Sequence, residues 1–511
     1  MTALIIHGHF YQPPRENPWT GLIEAQPGAA PYHDWNERIH AECYGPNSHA
    51  HIAGAGDRIA QTVNNYANLS FNFGPTLLSW LQLKHPKTYQ HILDADRLSL
   101  MKRGGHGNAI AQAYGHAILP LCNERDRETQ LLWGLADFRY RFGREPESLW
   151  LPETACDDRT LALLIEAGLR FVIMAPNQAG SFRLPDSRWQ DVTTGGIDTS
   201  KPYRCNHPDG SGRSIAVFFY DGPTARAIAF EKALTSSKSL VELFVRRANG
   251  ASLLTVATDG ETYGHHFKFG DLCIAHALER EAPAAGFRLT NYGEYLDQHP
   301  ATIEVKLASG EDGKGTSWSC VHGVARWERD CGCHTGGEAD WNQKWRSPLR
   351  SALNFLRDAA ARDFEALGSD LFADPWHVRN ESIQLILDPQ HSREAFVASH
   401  AKRPLDTRDQ WRALTLLEMQ RNSLLMFTSC GWFFSEISGI ETIQVLQYAA
   451  RVIDLSQQLG TPLPRKDFLE LLTEAKSNRK ELGSGADIYI SFAERGSTAS
   501  RSLNDAEAKI S

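Results

Sequence analysis

Residues 253–261 read Leu253-Leu254-Thr255-Val256-Ala257-Thr258-Asp259-Gly260-Glu261, an apolar and β-branched run that stops at two acids around a glycine. The run Leu253-Ala257 is near-continuous rather than alternating, which predicts a strand covered on both faces. Leu240-Ala248 before it and Gly270-Glu281 after it carry apolar residues at helical spacing. A covered strand between two helices is the repeating unit of a parallel sheet wrapped by crossover helices. The polar cluster Asp259-Gly260-Glu261 then falls at the C-terminal end of its strand, the end where such folds assemble their sites.

The same grammar repeats toward both termini. Leu4-Ile6 is followed by His7-Gly8-His9-Phe10-Tyr11-Gln12-Pro13, and Ser148-Leu151 by Pro152-Glu153. Leu69-Phe73, Arg170-Met174, Ser214-Phe219 and Phe287-Thr290 complete the candidate strands, with helical periodicity over Thr76-Lys84, Arg127-Phe142 and Asp158-Ala167. Residues 1–300 therefore read as an α/β catalytic domain. Residues 301–339, above all Ala308-Gly337, have no clear period and read as a loop or insertion. Residues 340–493 are helical in character, through Trp345-Asp358, Gln410-Phe427 and Glu441-Gln458, and predict an α-helical domain. Residues 494–511 are mostly small or polar and predict a disordered tail.

Composition narrows the function classes. The formal net charge of -8, without a long basic run, is not the footprint of a nucleic-acid binder and suits a neutral substrate. Thirteen Trp and 14 Tyr supply flat faces that can stack on sugar rings as well as fill a core. Nine cysteines, an odd number scattered through 511 residues, do not suggest a disulfide framework. The N-terminal apolar run is too short for a signal sequence, and no stretch approaches the ~18 consecutive apolar residues of a membrane span. The expectation is a soluble, cytoplasmic protein without membrane or nucleic-acid partners and without a cofactor.

In a parallel barrel, groups just past separate strands gather on one face, so Glu153 and Asp259 can meet across a bound sugar. One ionised carboxylate and one protonated carboxyl can share the cleavage of a glycosidic bond, provided that burial or a neighbouring charge keeps their proton affinities apart. There are plainer readings of the same residues. Glu153, with Asp157 and Asp158, could be a helix-entry acid ahead of the run from Arg159, and Asp259 and Glu261 could form a solvated turn.

Five segments carry a resemblance. HGHFYQPP at His7-Pro14, AYGHAILPL at Ala113-Leu121, LWLPETACD at Leu149-Asp157, ATDGETYGHHF at Ala257-Phe267 and SCGWFF at Ser429-Phe434 resemble, in order, the motifs of glycoside hydrolase family 57. The first departs from the compact His-x-His-Gln-Pro form, because Phe10-Tyr11 intervene before Gln12. The resemblance implies an incomplete seven-stranded (β/α) barrel followed by a helical domain, and retaining chemistry on α-glucans. It implies Glu153 as nucleophile and Asp259 as acid/base, with carboxyl groups ~5–5.5 Å apart. His7, His9, Gln12, His116, Trp150, Glu261, His265 and Trp432 are implied as residues that bind the sugar or orient the acids, although each histidine could equally be a satisfied supporting group and Trp432 ordinary packing. The region Asp340-Asp358 resembles a subgroup with its own C-terminal helical extension.

Two other classes stay open. His7 and His9, with Asp259 or His116, could hold a metal in a metal-dependent carbohydrate hydrolase or deacetylase. A barrel that binds glucan without turning it over is the other. Separately, Cys320, His322, Cys331, Cys333 and His334 offer thiolates and imidazoles for structural zinc, although Cys-x-Cys is tighter than the usual spacing of two to four residues.

Overall fold

A computed structural model describes residues 1–54, 58–388 and 390–494. Of the expected tail, 494–511, only Glu494 is described, paired with Arg465 at 2.8 Å, and the rest lies outside the described residues. The described residues divide into two compact units: those within 1–12, 25–112 and 138–319 form the first, and those within 13–24, 113–137 and 320–494 the second.

The first unit is built on parallel strands. They are β1 (Thr2–Phe10), β2 (Ser70–Phe73), β3 (Ala111–Gln112), β4 (Leu149–Trp150), β5 (Phe171–Met174), β6 (Ser214–Phe219) and β7 (Leu253–Asp259). β1 pairs in parallel with β7 on one edge and with β2 on the other. A parallel bridge, Phe71 to Ala109, leads from β2 toward β3, which pairs with β4. The bridge Ser148 to Phe171 leads on to β5, and β5 pairs with β6. The Asp221 amide, just past β6, donates to the Thr255 carbonyl of β7 at 2.8 Å, so the series returns to its start. Along its earlier part β6 is paired with the antiparallel strand Tyr203–Asn206 instead, which leaves the seven-stranded barrel incomplete there. An eighth strand, β8 (Phe287–Leu289), borders only residues 2–4 of β1.

The strand cores are sealed as their composition requires. All four residues of β5 are buried, as are residues 253–258 of β7, because strands covered on both faces expose no polar alternate. Helices follow them in the chain: α1 (Pro75–Lys84), α2 (Glu124–Phe142, of which 124–137 belong to the second unit), α3 (Asp158–Glu166), α4 (Gly222–Phe230) and α5 (Ser237–Ala248), with α3 packed on β6 and α4 and α5 on β7. Asp157 caps α3 by accepting from the Thr160 amide at 2.8 Å, so the helix-entry role belongs to Asp157 rather than to Glu153.

The second unit is helical. Its long elements are α6 (Arg346–Leu371), α7 (Thr407–Leu425) and α8 (Ile440–Gln458), which bury apolar faces against one another. Two short excursions of the chain belong to it. Trp19 donates to Asp454 at 3.1 Å and Gln444 to the Glu16 carbonyl at 3.0 Å, while Arg379 pairs with Asp126 at 2.8 Å. The stretch 308–337 contains one short helical turn, Ala325–Trp327. No helix among the described residues is long and apolar enough to cross a membrane.

Candidate active site

The barrel strands end in a continuous row of side chains. His9 of β1 lies opposite Asp259 of β7 on one side and Asn72 of β2 on the other. The Asn72 amide donates to Gln112 of β3 at 2.7 Å, and Gln112 lies opposite Trp150 of β4. Five strands thus contribute Asp259, His9, Asn72, Gln112 and Trp150 at one level.

His7 and His9, two apart in an extended strand, share a face. His7 hydrogen bonds Ser70 Oγ through Nδ1 and Asn72 Oδ1 through Nε2, each at 3.0 Å. His9 Nδ1 approaches the Asn72 amide at 2.9 Å. Burial lowers both imidazoles to about 3, which keeps them neutral. The two rings stack on Trp150 at 4.7 and 5.0 Å, and His9 stacks on Tyr11 at 5.8 Å. Metal ligation by His7 would require it to give up one of its two hydrogen bonds.

Glu153 stands in a turn after β4 with φ 58 and ψ 22, and Thr154 follows at φ 51. Two successive non-glycine residues in the left-handed region cost of order 1–3 kcal/mol each, and the surroundings must hold them there. Segment 316–319 does so. Cys156 and Thr316 exchange backbone hydrogen bonds at 3.0 Å, and the Trp318 amide donates to the Glu153 carbonyl at 3.0 Å. Buried Gln178 donates to the carbonyls of Thr154 and Thr316. The side chain is fixed as well: Glu153 Oε2 accepts from Trp318 Nε1 at 3.0 Å and Ser319 Oγ at 2.7 Å.

Asp259 sits in the field of two other carboxylates. Protein crowds it, and that crowding, followed by the charges of Glu261 and Glu153, pushes its proton affinity well above the usual carboxylate range. The side chain is nevertheless exposed to solvent, and water tempers the shift. Glu261 is buried and accepts from the Tyr11 amide at 3.0 Å and the Tyr44 hydroxyl at 2.5 Å. Burial raises it to about 7 in spite of those donors. Gly260 between the acids admits the Phe10 ring, since a Cβ there would lie 2.2 Å from it.

A family model described as glycosyl hydrolase family 57 matches residues 9–308, more than half of the chain. The chain belongs to glycosyl hydrolase family 57. A second model, described as a domain of unknown function (DUF3536), matches residues 341–505, which contain the long helices of the second unit. The fold is similar to that of an exo-type maltose-forming amylase from Pyrococcus sp. ST04, with 15% identity, a TM-score of 0.66 and coverage of 98% of this chain and 88% of that one. A branching enzyme from Pyrococcus horikoshii is similar at 15% identity and a TM-score of 0.54, over 97% and 94% of the two chains. At such identities the likeness is one of fold. Alpha-amylase 1 of Dictyoglomus thermophilum is 25% identical over 107 residues, 21% of this chain and only 15% of that protein's length.

Within this family frame, the residues singled out in the sequence fall into two groups. Glu153, Asp259, Glu261, His7, His9 and Trp150 share the strand-end region of the first unit. Trp150 is fully buried behind the two histidines and forms its floor. Gln12 donates to the Tyr11 carbonyl at 3.0 Å, and His265 Nδ1 meets Glu42 at 2.5 Å. His116 and Trp432 belong to the second unit. His116, with φ 54, hydrogen bonds Ser429 Oγ at 2.7 Å. Trp432 is fully buried, donates to the Arg346 carbonyl at 3.2 Å and lies under the Arg350 guanidinium at 4.0 Å.

Several residues of the site escaped the sequence reading, among them Asn72, Gln112, Tyr44, Trp318, Ser319 and Tyr220. Trp318 and Ser319 lie in a stretch without periodicity, and the signal was an aromatic residue flanked by serines where no core helix or strand called for one. Trp318 stands edge-on to Trp150 at 5.2 Å, His9 at 6.2 Å and Tyr220 at 6.4 Å. Tyr220 obeys the strand-end rule, one residue past β6. Burial and then the Asp259 charge push its phenol upward, so it remains neutral.

Proposed function

We propose that the protein is a retaining glycosidase or glucanotransferase acting on α-glucans, with Glu153 as nucleophile and Asp259 as acid/base. The observation that carries this reading is the contrast between the two carboxyls. Glu153 Oε2 takes hydrogen bonds from two fixed donors, as an ionised acceptor does. Asp259 is driven toward its protonated form by the protein crowded around it and by the charges of Glu261 and Glu153. The substrate class is taken from the family and from the amylase and branching enzyme whose fold the chain shares.

In the first step a Glu153 oxygen forms a bond to the anomeric carbon as the glycosidic bond breaks, and Asp259 gives its proton to the departing oxygen. The ester so formed no longer carries the Glu153 charge, which removes one cause of the high proton affinity of Asp259. Asp259 can then accept a proton from water or a sugar hydroxyl, whose oxygen attacks the anomeric carbon and releases Glu153. Hydrolysis and transglycosylation share this intermediate and differ only in the acceptor. Neutral His9, flat on Trp150 and Tyr11, offers the sugar a polar edge, while Glu261 and His7 act as positioning residues.

The test is product analysis on malto-oligosaccharides, with NMR observation of the first anomer released. Retained α configuration, and loss of turnover in Glu153→Gln and Asp259→Asn with oligosaccharide binding kept, are the expected results. Inverted product, or Glu153→Gln at wild-type rate, would overturn the assignment. Binding without turnover by the wild-type protein on a broad glycan panel would favour a silent glucan-binding protein.

A further inference from the structure

Beyond the carboxylate site, the second unit contains one cluster of metal-ligating groups among the described residues. Cys320, His322, Cys331 and Cys333 bring their ligand atoms within 4.8 Å of one another. Cys320 Sγ lies 3.8 Å from both Cys331 Sγ and Cys333 Sγ, and Cys333 Sγ lies 3.5 Å from His322 Nδ1. We infer that these three thiolates and one imidazole form a closed, structural zinc site.

Distances are the first support. A disulfide would hold two of these sulfurs about 2.05 Å apart. Around a tetrahedral zinc, with Zn–S of about 2.3 Å and Zn–N of about 2.05 Å, sulfurs are about 3.8 Å from one another and about 3.6 Å from nitrogen. The Cys320–Cys331, Cys320–Cys333 and Cys333–His322 separations match three edges of that tetrahedron, and all four ligand atoms lie within 4.8 Å of one another. They arise although the Cys-x-Cys spacing is short, because Gly332 adopts φ +79 between the two cysteines, a conformation open to glycine that folds both thiols to one side. The sequence also offered His334, but His334 Nδ1 accepts from the Gly336 amide at 3.2 Å, and His322 takes the fourth corner.

Charge is the second support, and it is independent of the first. Arg346 at the start of α6 is fully buried. Its guanidinium donates to the carbonyls of Cys333 at 2.8 Å and of Phe433 and Phe434, and its Nε has no partner. A buried cation whose hydrogen bonds go only to carbonyls, with the Trp345 ring 5.7 Å away as its one aromatic contact, is stabilised by an anion nearby. Zn²⁺ with three thiolates and a neutral imidazole carries one net negative charge beside it. Four protein ligands leave no open position for substrate, so the role is architectural, and thiolate softness selects zinc over magnesium or calcium. The metal would fix the chain one residue beyond Ser319 and anchor the Arg346 end of α6, whose carbonyl receives Trp432.

The test uses the full-length protein purified without a metal-affinity tag, under reducing conditions, from zinc-replete cells. Elemental analysis should give one zinc per chain, and a mercurial titrating the thiols should release that zinc to a chromogenic chelator. Cobalt substitution should produce the ligand-field bands of a tetrahedral thiolate site. Cys331→Ser with Cys333→Ser should abolish the stoichiometric zinc and lower the unfolding temperature. If that variant does not fold, the wild-type stoichiometry and the coupling of release to thiol modification still decide. Wild-type protein with less than about a tenth of an equivalent of zinc and reactive cysteines at these positions, a disulfide among them, or zinc retained by the double variant would each overturn the inference.

Discussion

Replacing Glu261 by glutamine isolates the electrostatic cost of the carboxyl cluster. The amide keeps an oxygen to accept from the Tyr11 N–H and the Tyr44 hydroxyl, so packing is conserved while the titration is removed. Glu261 is raised from 4.5 to about 7 in the fold. As pH rises through 4.5, the unfolded chain releases this proton while the folded protein retains it, so the folded state loses ground until about pH 7, where both have ionised. At about 1.4 kcal/mol for each pH unit of that interval, wild type should lose about 3 kcal/mol relative to Glu261→Gln, with no further divergence above pH 7. Urea unfolding followed by tryptophan fluorescence between pH 4 and 8 measures the difference. A second consequence follows from the position of Glu261 beside Asp259: without its charge, Asp259 should hold its proton less tightly, and the alkaline limb of kcat/KM should move to lower pH. Parallel stability curves for the two proteins across pH 4.5–7 would refute the reasoning.

Four further outcomes are expected. Ser319→Ala removes one hydrogen bond to the Glu153 carboxylate, worth about 1.5–3 kcal/mol, and should lower kcat/KM by roughly 10- to 150-fold with unfolding little changed; wild-type kinetics would separate Ser319 from the nucleophile. Asp259→Ala should retain formation of the glycosyl-enzyme from an α-glycosyl fluoride, whose leaving group needs no proton, and lose action on malto-oligosaccharides; equal loss on both substrates would deny Asp259 the acid role. Gly260→Ala places a methyl group against Phe10 and should destabilise the first unit by about 1–3 kcal/mol, read from the urea midpoint; an unchanged midpoint would mean that Phe10 moves freely. ¹⁵N NMR should find His7 and His9 neutral at pH 5, since burial holds both near 3; the corresponding penalty on folding grows as pH falls from 6.5 toward 3, because only the unfolded imidazoles gain protons there, and an imidazolium signal at pH 5 would contradict the buried row.

Periodicity and the strand-end rule made most of the first unit legible in the linear chain. Runs such as Leu253-Ala257 and Ser214-Phe219 are too apolar to be anything but covered strands, and the polar groups directly after them, Glu153 and Asp259, lie where parallel strands end. β3 was missed because two residues carry no measurable period, and its membership depends on Phe71 and Trp150 as neighbours. The alternation Ile303-Glu304-Val305-Lys306-Leu307 passed unread and forms a strand parallel to Tyr203–Asn206. His7 and His9 read as possible ligands in sequence; only the neighbouring strands supply Ser70 and Asn72, which occupy both nitrogens of His7.

Residue types and their order along the chain determined by themselves the parallel α/β unit, the helical unit that follows, the family and the two acids proposed as the catalytic pair. Tertiary structure alone decided which distant residues meet: Trp318 and Ser319 on Glu153, Tyr44 on Glu261, and the thiols of Cys320, Cys331 and Cys333 gathered with His322. Hydrophobic period is a property of consecutive residues and survives in one dimension. A hydrogen bond or a ligand tetrahedron is set by where separate segments pass, and no local pattern encodes that meeting.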